Sequence, residues 1–563
     1  MVIKTMANGQ MYIAELVEEE ELISEYSDDS SIDPDFESEA TEDLEDFLDG
    51  IDRAVDILSS SSSEEDAEGG AGPAARWQGT DVEDVTPTQL IFQPARTPGP
   101  HLPAGKQYSP LELFQLFVTD AMLQTIVNNS NLHGERRNPV TFERLSLEDL
   151  YAFLAMLVFI GVVRTIHIED YWRTDIFYNF PFPSSVMTQC KFRAIARTLR
   201  LSSPADDAEN NRKKGSADHD PLGKIRPVYE QMRQACRAHF HPGQNISVDE
   251  IKVKAKRCIV PPRRDLEPMR WGSKLFVLVD SSTGYTWDIF TRRGGQGASG
   301  AVGRLGYQSV MSLVDAAVLG QGYRLFVDDF HTSPALFREL LAERSVGACG
   351  TIREQCAGYP RGRAGGLPRR HRCPRGTLRW IREGPLAFVQ WRDARNVLLC
   401  SSLHPAHANH TVLRKVRTAE GQRRTLQPVT APPSFSDWDR CMGAGLLCDA
   451  IVEHYHILHH TNNWYKSFFY HFLDVAIVNA FILHRELAKE RQEAPLGQVA
   501  FRKVLLQQLK AAALSCRAPP AGGQHKPRFF TQDDSATQAR PCVHCASKTM
   551  VSAPHAMSPC ALR

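Results

Sequence analysis

Positive charge is almost missing from the start of this chain: Lys4 and Arg53 stand against 23 Asp and Glu in the first 70 of 563 residues. Long apolar runs are missing too. The longest, Leu150 to Val163, gives way to Glu169-Asp-Tyr-Trp172, well short of the roughly 20 residues that span a bilayer, so no membrane segment is expected. A cysteine framework is likewise absent. Thirteen cysteines lie scattered along the chain and its first residues carry no secretory pattern, which predicts free core thiols in a reducing compartment. No nucleotide fingerprint occurs either: Gly294-Gly-Gln-Gly-Ala-Ser-Gly300 is followed by no Lys-Ser/Thr, and it reads as a flexible connector. No small-molecule substrate is expected.

What is present is a strong charge asymmetry. The net charge of -1 conceals an acidic start and a remainder with 63 basic and 43 acidic residues, which points to a polyanionic partner. Glu15 to Glu68 is acidic and rich in serine, with Ser59-Ser-Ser-Ser-Ser63 running into Glu64-Glu-Asp66. Such a composition buries too little apolar surface to offset the entropy of ordering, so disorder is expected over residues 1–105. The arm is either a solvated tail or a phosphorylatable segment that competes with nucleic acid for the basic body.

Helical signals begin at Ser109-Pro110 and at Ser146-Leu-Glu-Asp149, both cap patterns. Ser184-Ser185 marks a further helix through Leu201, residues 203–220 read as a surface loop, and a helix follows Pro221 to about Phe240. The periodicity then becomes extended. Asn245-Ile-Ser-Val-Asp-Glu-Ile-Lys-Val253 reads as a central strand covered on both faces and carrying Asp249, with strands at Lys274 to Val279 and Tyr285 to Phe290 after it. Tyr323-Arg-Leu-Phe-Val-Asp-Asp329 is a strand ending in two carboxylates ahead of a helix, the usual position of an active site in an open α/β sheet, so Asp328 is the second candidate. Lys252, Lys254, Lys256, Arg257, Arg263 and Arg264 form a basic edge suited to phosphate contact. Arg369, Arg370 and Arg372, within the arginine-rich stretch 353–430, read as a nuclear import signal, a DNA clamp or an exposed loop. Helices return from Ser434, with a long apolar one from Trp464 to about Leu487 and a last one near Gly497 to Leu514.

Three stretches, Ser247-Val-Asp-Glu250, Phe326-Val-Asp-Asp-Phe-His-Thr-Ser333 and Cys441-Met-Gly-Ala-Gly-Leu-Leu-Cys-Asp449, resemble in order and spacing the catalytic signatures of piggyBac transposases and their domesticated relatives. Glu169-Asp-Tyr-Trp172, Asp220-Pro-Leu-Gly-Lys-Ile-Arg-Pro227, Trp271-Gly-Ser-Lys-Leu275, Asn463-Trp-Tyr-Lys466 and Asp474-Val-Ala-Ile-Val-Asn-Ala480 support it, and the resemblance covers about residues 107–515. It implies an α/β chain: an RNase H-like catalytic domain (246–352 and 431–449) with an inserted subdomain (353–430), embedded in an all-helical dimerisation and DNA-binding domain (106–245 and 450–515). A disordered acidic N-terminal arm precedes these segments, and a linker with a degraded Cys-rich tail (516–563) follows them.

In that family three Asp residues hold two divalent metals, Mg2+ or Mn2+, for cut-and-paste strand transfer on double-stranded DNA. Asp249 and Asp328 match the first and second. The third position falls on Leu446, which carries neither charge nor lone pair, while Asp449 matches a further family acid and lies one helical turn away. Loss of a ligand costs a metal site at least the roughly 10 to 100-fold of an outer-shell change, so the inherited site is expected to be impaired. The tail keeps Cys542, Cys545, His555 and Cys560, either one tetrahedral zinc site or an unmetallated remnant. The expectation is therefore a nuclear, homodimeric, DNA-binding transposase derivative. A residual metal-dependent transposase and a chromatin-associated interaction protein without DNA cleavage are the alternatives.

Overall fold

Ser109 caps the first helix of the main body because its hydroxyl accepts from the Glu112 N–H at 3.2 Å while the Glu112 carboxylate accepts from the Ser109 N–H at 2.9 Å. In this computed structural model the described residues are 2–7, 10–15 and 76–515 apart from 104, 138, 141, 166, 254–272, 292–304, 369–372, 418–423, 444–456, 458–460 and 462, together with short paired strands between 528 and 559. Met1–Asp46 is a unit of its own, in which Val2–Ala7 pairs antiparallel with Gln10–Glu15.

The capped helix α1 (Pro110–Gln115) leads to α2 (Asp120–Arg137), α3 (Leu147–Val162), α4 (Gln189–Thr198) and α5 (Arg226–His239). Ser146 and Asp149 form the expected capping box on α3, whose residues Leu150 to Gly161 are all buried. Two local expectations are corrected. The helix expected from Ser184 is divided, because Pro181 starts a short helix (Pro181–Val186) and Thr188 caps α4 anew. The expected loop at 203–220 begins as a helix, Pro204–Arg212, since Ser203 caps it and Pro204 is preset for its first turn; none of its residues is buried.

The central element is an eight-stranded mixed sheet. Its strands are β1 (Asn245–Val253), β2 (Ser273–Asp280), β3 (Thr286–Phe290), β4 (Arg324–Val327), β5 (Gly347–Thr351), β6 (Leu378–Glu383), β7 (Leu386–Arg392) and β8 (Asn396–Ser401). They lie in the order β6-β7-β8-β5-β4-β1-β2-β3. Only β4 runs parallel to its neighbours, β1 and β5; the remaining pairs are antiparallel. Helices α6 (Leu305–Leu313) and α7 (Pro334–Arg344) flank β4 in sequence. The stretch 353–430 gives three strands to the same sheet, then an antiparallel pair, β9 (Thr411–Arg417) with β10 (Arg424–Thr430). A helix over 433–443, α8, leads to α9 (Trp464–Glu490) and α10 (Gln498–Ser515). By length and apolarity α9 would cross a membrane, yet most of it is buried inside this fold.

The disorder expected over residues 1–105 lies for the most part outside the described residues; where it does not, it is corrected, since Val2–Ala7 pairs with Gln10–Glu15 and residues 76–103 run along the body as a strap. Gln78 exchanges both backbone hydrogen bonds with Trp380 on β6, at 2.8 and 3.0 Å. Asp84, its side chain only 2% exposed, takes both prongs of Arg382 at 2.7 and 2.6 Å. Further along, Gln93 pairs with Gln321 and Gly99 with His241. Gly322 makes the closest approach: its φ is +77°, and a Cβ there would fall 2.0 Å from the Ile91 carbonyl oxygen. Composition missed the strap because main-chain pairing, the buried Asp84 carboxylate and isolated anchors such as Trp77, packed on Tyr359, and Phe92, packed on Tyr323, hold it, none of which needs an apolar run.

The motif Asp474 to Ala480 on α9 is structural. Asn479 seals the edge strand β3, accepting from the Thr286 N–H at 3.0 Å and donating to the Thr286 carbonyl at 2.8 Å. Asp474 is buried beside Arg502 and accepts from the Ile457 N–H. Burial raises its carboxyl to about 7, against the pull of Arg502 and that hydrogen bond. A carboxyl raised on folding favours the protonated state, so its contribution is full below about pH 4 and is lost as pH rises towards 7. Wild type is expected to lose stability over that interval with a slope of up to about 1.4 kcal/mol per pH unit relative to Asp474→Asn. Urea unfolding at pH 5 and pH 7 checks this; parallel pH profiles for the two proteins would refute it.

Candidate active site

Strands β1 and β4 are parallel neighbours with Val248 opposite Val327, so the next residue on each, Asp249 and Asp328, sits beside the other. Both residues are partly buried. Burial pushes the Asp249 carboxyl above its usual range; the Glu250 N–H, 2.7 Å from Oδ1, opposes that, and the charge of Asp328 reinforces it. At Asp328 burial also favours the neutral form, but His331 outweighs it and the carboxyl is held below its usual range. Two adjacent acids are thereby driven in opposite directions, as in sites that divide protonation states between paired carboxylates.

The turn after β4 fixes Asp328. Its Oδ1 accepts from the N–H of Phe330 at 3.2 Å and of His331 at 3.1 Å, and lies 2.6 Å from His331 Nδ1. Its carbonyl accepts from the Thr332 hydroxyl at 2.7 Å. The His331 ring is buried edge-on to Phe276 and Phe330, and its Nε2 has no hydrogen-bond partner among the described residues. Next to it Asp329 receives Arg353 through two bonds, at 2.7 and 3.2 Å. The backbone packs so closely here that a Cβ on Gly306 of α6 would come within 2.6 Å of the Phe330 carbonyl oxygen.

Helix α8 approaches from the other side. Trp438 donates its indole N–H to the Val327 carbonyl at 2.7 Å, and Cys441 and Met442 pack on Phe326 and Cys349. His404 ties the same helix to β8, with Ser401 Oγ at 2.8 Å from Nδ1 and Asp437 at 3.0 Å from Nε2. The Asp437 carboxyl is held well below its usual range, chiefly by His404 and also by Arg440.

Of the sequence candidates, the structure brings Asp249 and Asp328 together and adds His331 and Arg353, which were not singled out. His331 lies inside the Phe326 to Ser333 signature, three residues after Asp328, and that was its signal in the sequence. Leu446 and Asp449 lie outside the described residues, as do Lys254, Lys256, Arg257, Arg263, Arg264, Arg369, Arg370, Arg372, Cys542, Cys545, His555, Cys560 and the glycine loop 294–300. Lys252 is described in its backbone alone, opposite Lys274. Among the described residues no group of three His, Cys, Asp or Glu is placed to hold a metal ion. Two cations set close together need several anionic oxygens. Among the described residues Asp249 and Asp328 are the two candidate acids placed together, and the leucine side chain at 446 carries no oxygen.

Residues 109–481 match the family model described as Transposase IS4. Among curated proteins, the human PiggyBac transposable element-derived protein 2 is 24% identical over 425 residues, 71% of this chain and 65% of that protein, so the chain spans just under two thirds of that relative. The human PiggyBac transposable element-derived protein 5 is 22% identical over 433 residues, covering 73% and 78% respectively. Among solved structures, the piggyBac transposase in a cryo-EM synaptic complex with hairpin DNA superposes with a TM-score of 0.60 at 21% identity, over 76% of this chain and 86% of that one. The fold is shared. The chain belongs to the Transposase IS4 family, among its piggyBac-like members.

Proposed function

We propose that this chain is a transposase-derived DNA-binding protein whose inherited carboxylate site no longer supports efficient strand cleavage. One observation carries the reading: Asp249 and Asp328 stand side by side in register on β1 and β4, while the third family carboxylate position is Leu446. The order β3-β2-β1-β4-β5, an antiparallel meander joined to parallel strands, supports an RNase H-like core. The excess of basic residues after residue 70 supports a duplex partner, and the solved relative was captured with hairpin DNA. Nuclear residence and a homodimer complete the proposal. A divalent cation such as Mg2+ or Mn2+ would supply charge to activate water when several carboxylates hold it. With one of those positions a leucine, no cleavage step is assigned to it.

Residual nuclease activity is the second reading, favoured by the survival of Asp249, Asp328 and Asp449. Incubating purified wild type, Asp249→Ala and Leu446→Asp with transposon-end DNA and Mg2+ or Mn2+ separates the two. The proposal expects no cleavage by wild type and cleavage by Leu446→Asp. Cleavage by wild type that Asp249→Ala abolishes would instead establish the nuclease. An interaction protein that acts without DNA would bind no duplex even at low salt.

A further inference from the structure

A cleft of about 430 Å3 lies between the strap and the loop that follows β5, a volume within the usual range of small-molecule sites. Neither Asp249 nor Asp328 lines it. Two of its walls are Trp77 of the strap and Tyr359 of the loop, each less than a tenth exposed, with ring centroids 6.0 Å apart. The Trp77 backbone N–H donates to the Ala364 carbonyl at 3.0 Å, which fixes the strap against the loop. Gln390 of β7 is fully engaged: its carbonyl accepts from the Leu367 N–H at 2.7 Å and its amide donates to the Tyr359 oxygen at 2.9 Å.

These bonds leave two buried donors unspent. The Tyr359 hydroxyl receives a hydrogen bond but donates none among the described residues, and the Trp77 indole N–H has no acceptor there. Burial raises the Tyr359 phenol to about 12, so it keeps its proton throughout the neutral range. A Cβ on Gly366, another lining residue, would stand 3.5 Å from the Trp77 indole nitrogen; the absent side chain leaves that edge of the ring uncovered. Charge adds to this. Arg361 gives Nε to the Glu354 carbonyl and Nη2 to those of Gln355 and Cys356, while its Nη1 bonds nothing among the described residues. Arg363 meets Glu383 at 3.6 Å, too far for a hydrogen bond. Glu354 is the one acid of the lining, against these two arginines. Packing of Trp77 on Tyr359 anchors the strap, yet it does not use the N–H, the O–H or the guanidinium groups. Aromatic walls with donors in excess of acceptors suit a flat ring that carries an acid group.

We propose that this cleft binds a small planar molecule bearing a carboxylate or phosphate, its ring against Trp77 and Tyr359 and its oxygens taking hydrogen bonds from Trp77, Tyr359 and Arg363. The site is independent of the DNA-binding reading. Because Trp77 belongs to the strap and the other partners to the loop, an occupant ties the two together and resists opening of the strap.

The test uses the full chain and isothermal titration calorimetry with three probes of one shape: 2-naphthoate, 2-naphthyl phosphate and the uncharged 2-naphthamide. At least one acid is expected to bind with a Kd of roughly 10 to 500 μM, and the amide at least about tenfold more weakly. Whichever acid binds more tightly identifies the acid group that the cleft takes. Arg363→Gln should lose about tenfold or more for that acid, and Arg363→Lys much less. Trp77→Phe keeps an aromatic wall, removes the N–H, and should lose about tenfold. With the acid at about ten times its Kd, hydrogen exchange at the Trp77 and Gln78 amides should slow by about tenfold. Arg363 stands on a partly exposed loop, so its variants test the site even if Trp77→Phe loosens the strap. Absence of binding by both acids up to about 5 mM would overturn the proposal. So would equal affinity for the amide, wild-type affinity in Arg363→Gln, or binding that leaves exchange in the strap unchanged.

Discussion

Asp288→Asn is expected to cost the fold about 3–5 kcal/mol, the largest effect of any single substitution considered for this chain. Asp288 lies on β3, is fully buried and faces two arginines of α5. Arg233 reaches it with Nε at 2.8 Å from Oδ1 and Nη2 at 3.0 Å from Oδ2, and Arg237 bonds the same Oδ2. Each guanidinium also lies over an aromatic ring, Arg233 on Tyr229 at 5.5 Å and Arg237 on Trp287 at 5.3 Å. Burial alone would weaken the Arg233 charge, yet Asp288 reverses that and its pKa is raised. An amide keeps the shape and removes the charge, leaving two largely covered cations facing each other. Such a pair is far more damaging to break than it is valuable to keep. Urea unfolding followed by circular dichroism measures the cost, with Glu490→Gln on the exposed end of α9 as a control expected to move stability by less than about 0.5 kcal/mol. A loss below about 1 kcal/mol would mean that water already shares the charge of this triad.

Trp438→Ala is expected to cost about 3–4 kcal/mol, and Trp438→Phe about 1 kcal/mol. The indole lies between two apolar clusters, one containing Trp391 and Phe435 and the other Phe326, Cys349, Cys441 and Met442. It is partly buried, which puts the alanine cost at the low end for a tryptophan. The phenylalanine variant keeps most of the packing and loses the bond to the Val327 carbonyl, so the difference between the two variants separates packing from hydrogen bonding. Thermal unfolding of both proteins gives the comparison; equal losses would assign the whole effect to the hydrogen bond. Because Val327 directly precedes Asp328, the same bond holds the end of β4 from which the candidate acid projects.

Asp249 and Asp328 could be read from the sequence because each ends or interrupts a strongly β-branched or apolar run, where a carboxylate is conspicuous. Their side-by-side register could not. It joins strands 79 residues apart in parallel, and no local pattern encodes which residue of one strand faces which of the other. Caps at Ser109 and Ser146 were legible because a cap is a contact over three residues. Strand β6, Leu-Arg-Trp-Ile-Arg-Glu, was not, since its arginines merge into the basic stretch before it and its partners on β7 and the strap are settled only in three dimensions.

Gln78 occupies the outer backbone groups of Trp380 on β6, and Asn479 occupies those of Thr286 on β3, the two boundary strands of the sheet. A bare boundary strand is a template on which foreign chains polymerise. Both margins of this sheet are blunted by residues remote in sequence, one from the strap and one from the longest helix. Joining two copies edge to edge at these two residues is thereby disfavoured. Removing the first 80 or so residues would do more than shed an acidic arm: it would uncover the Trp380 margin and turn a sealed sheet into a nucleus for aggregation.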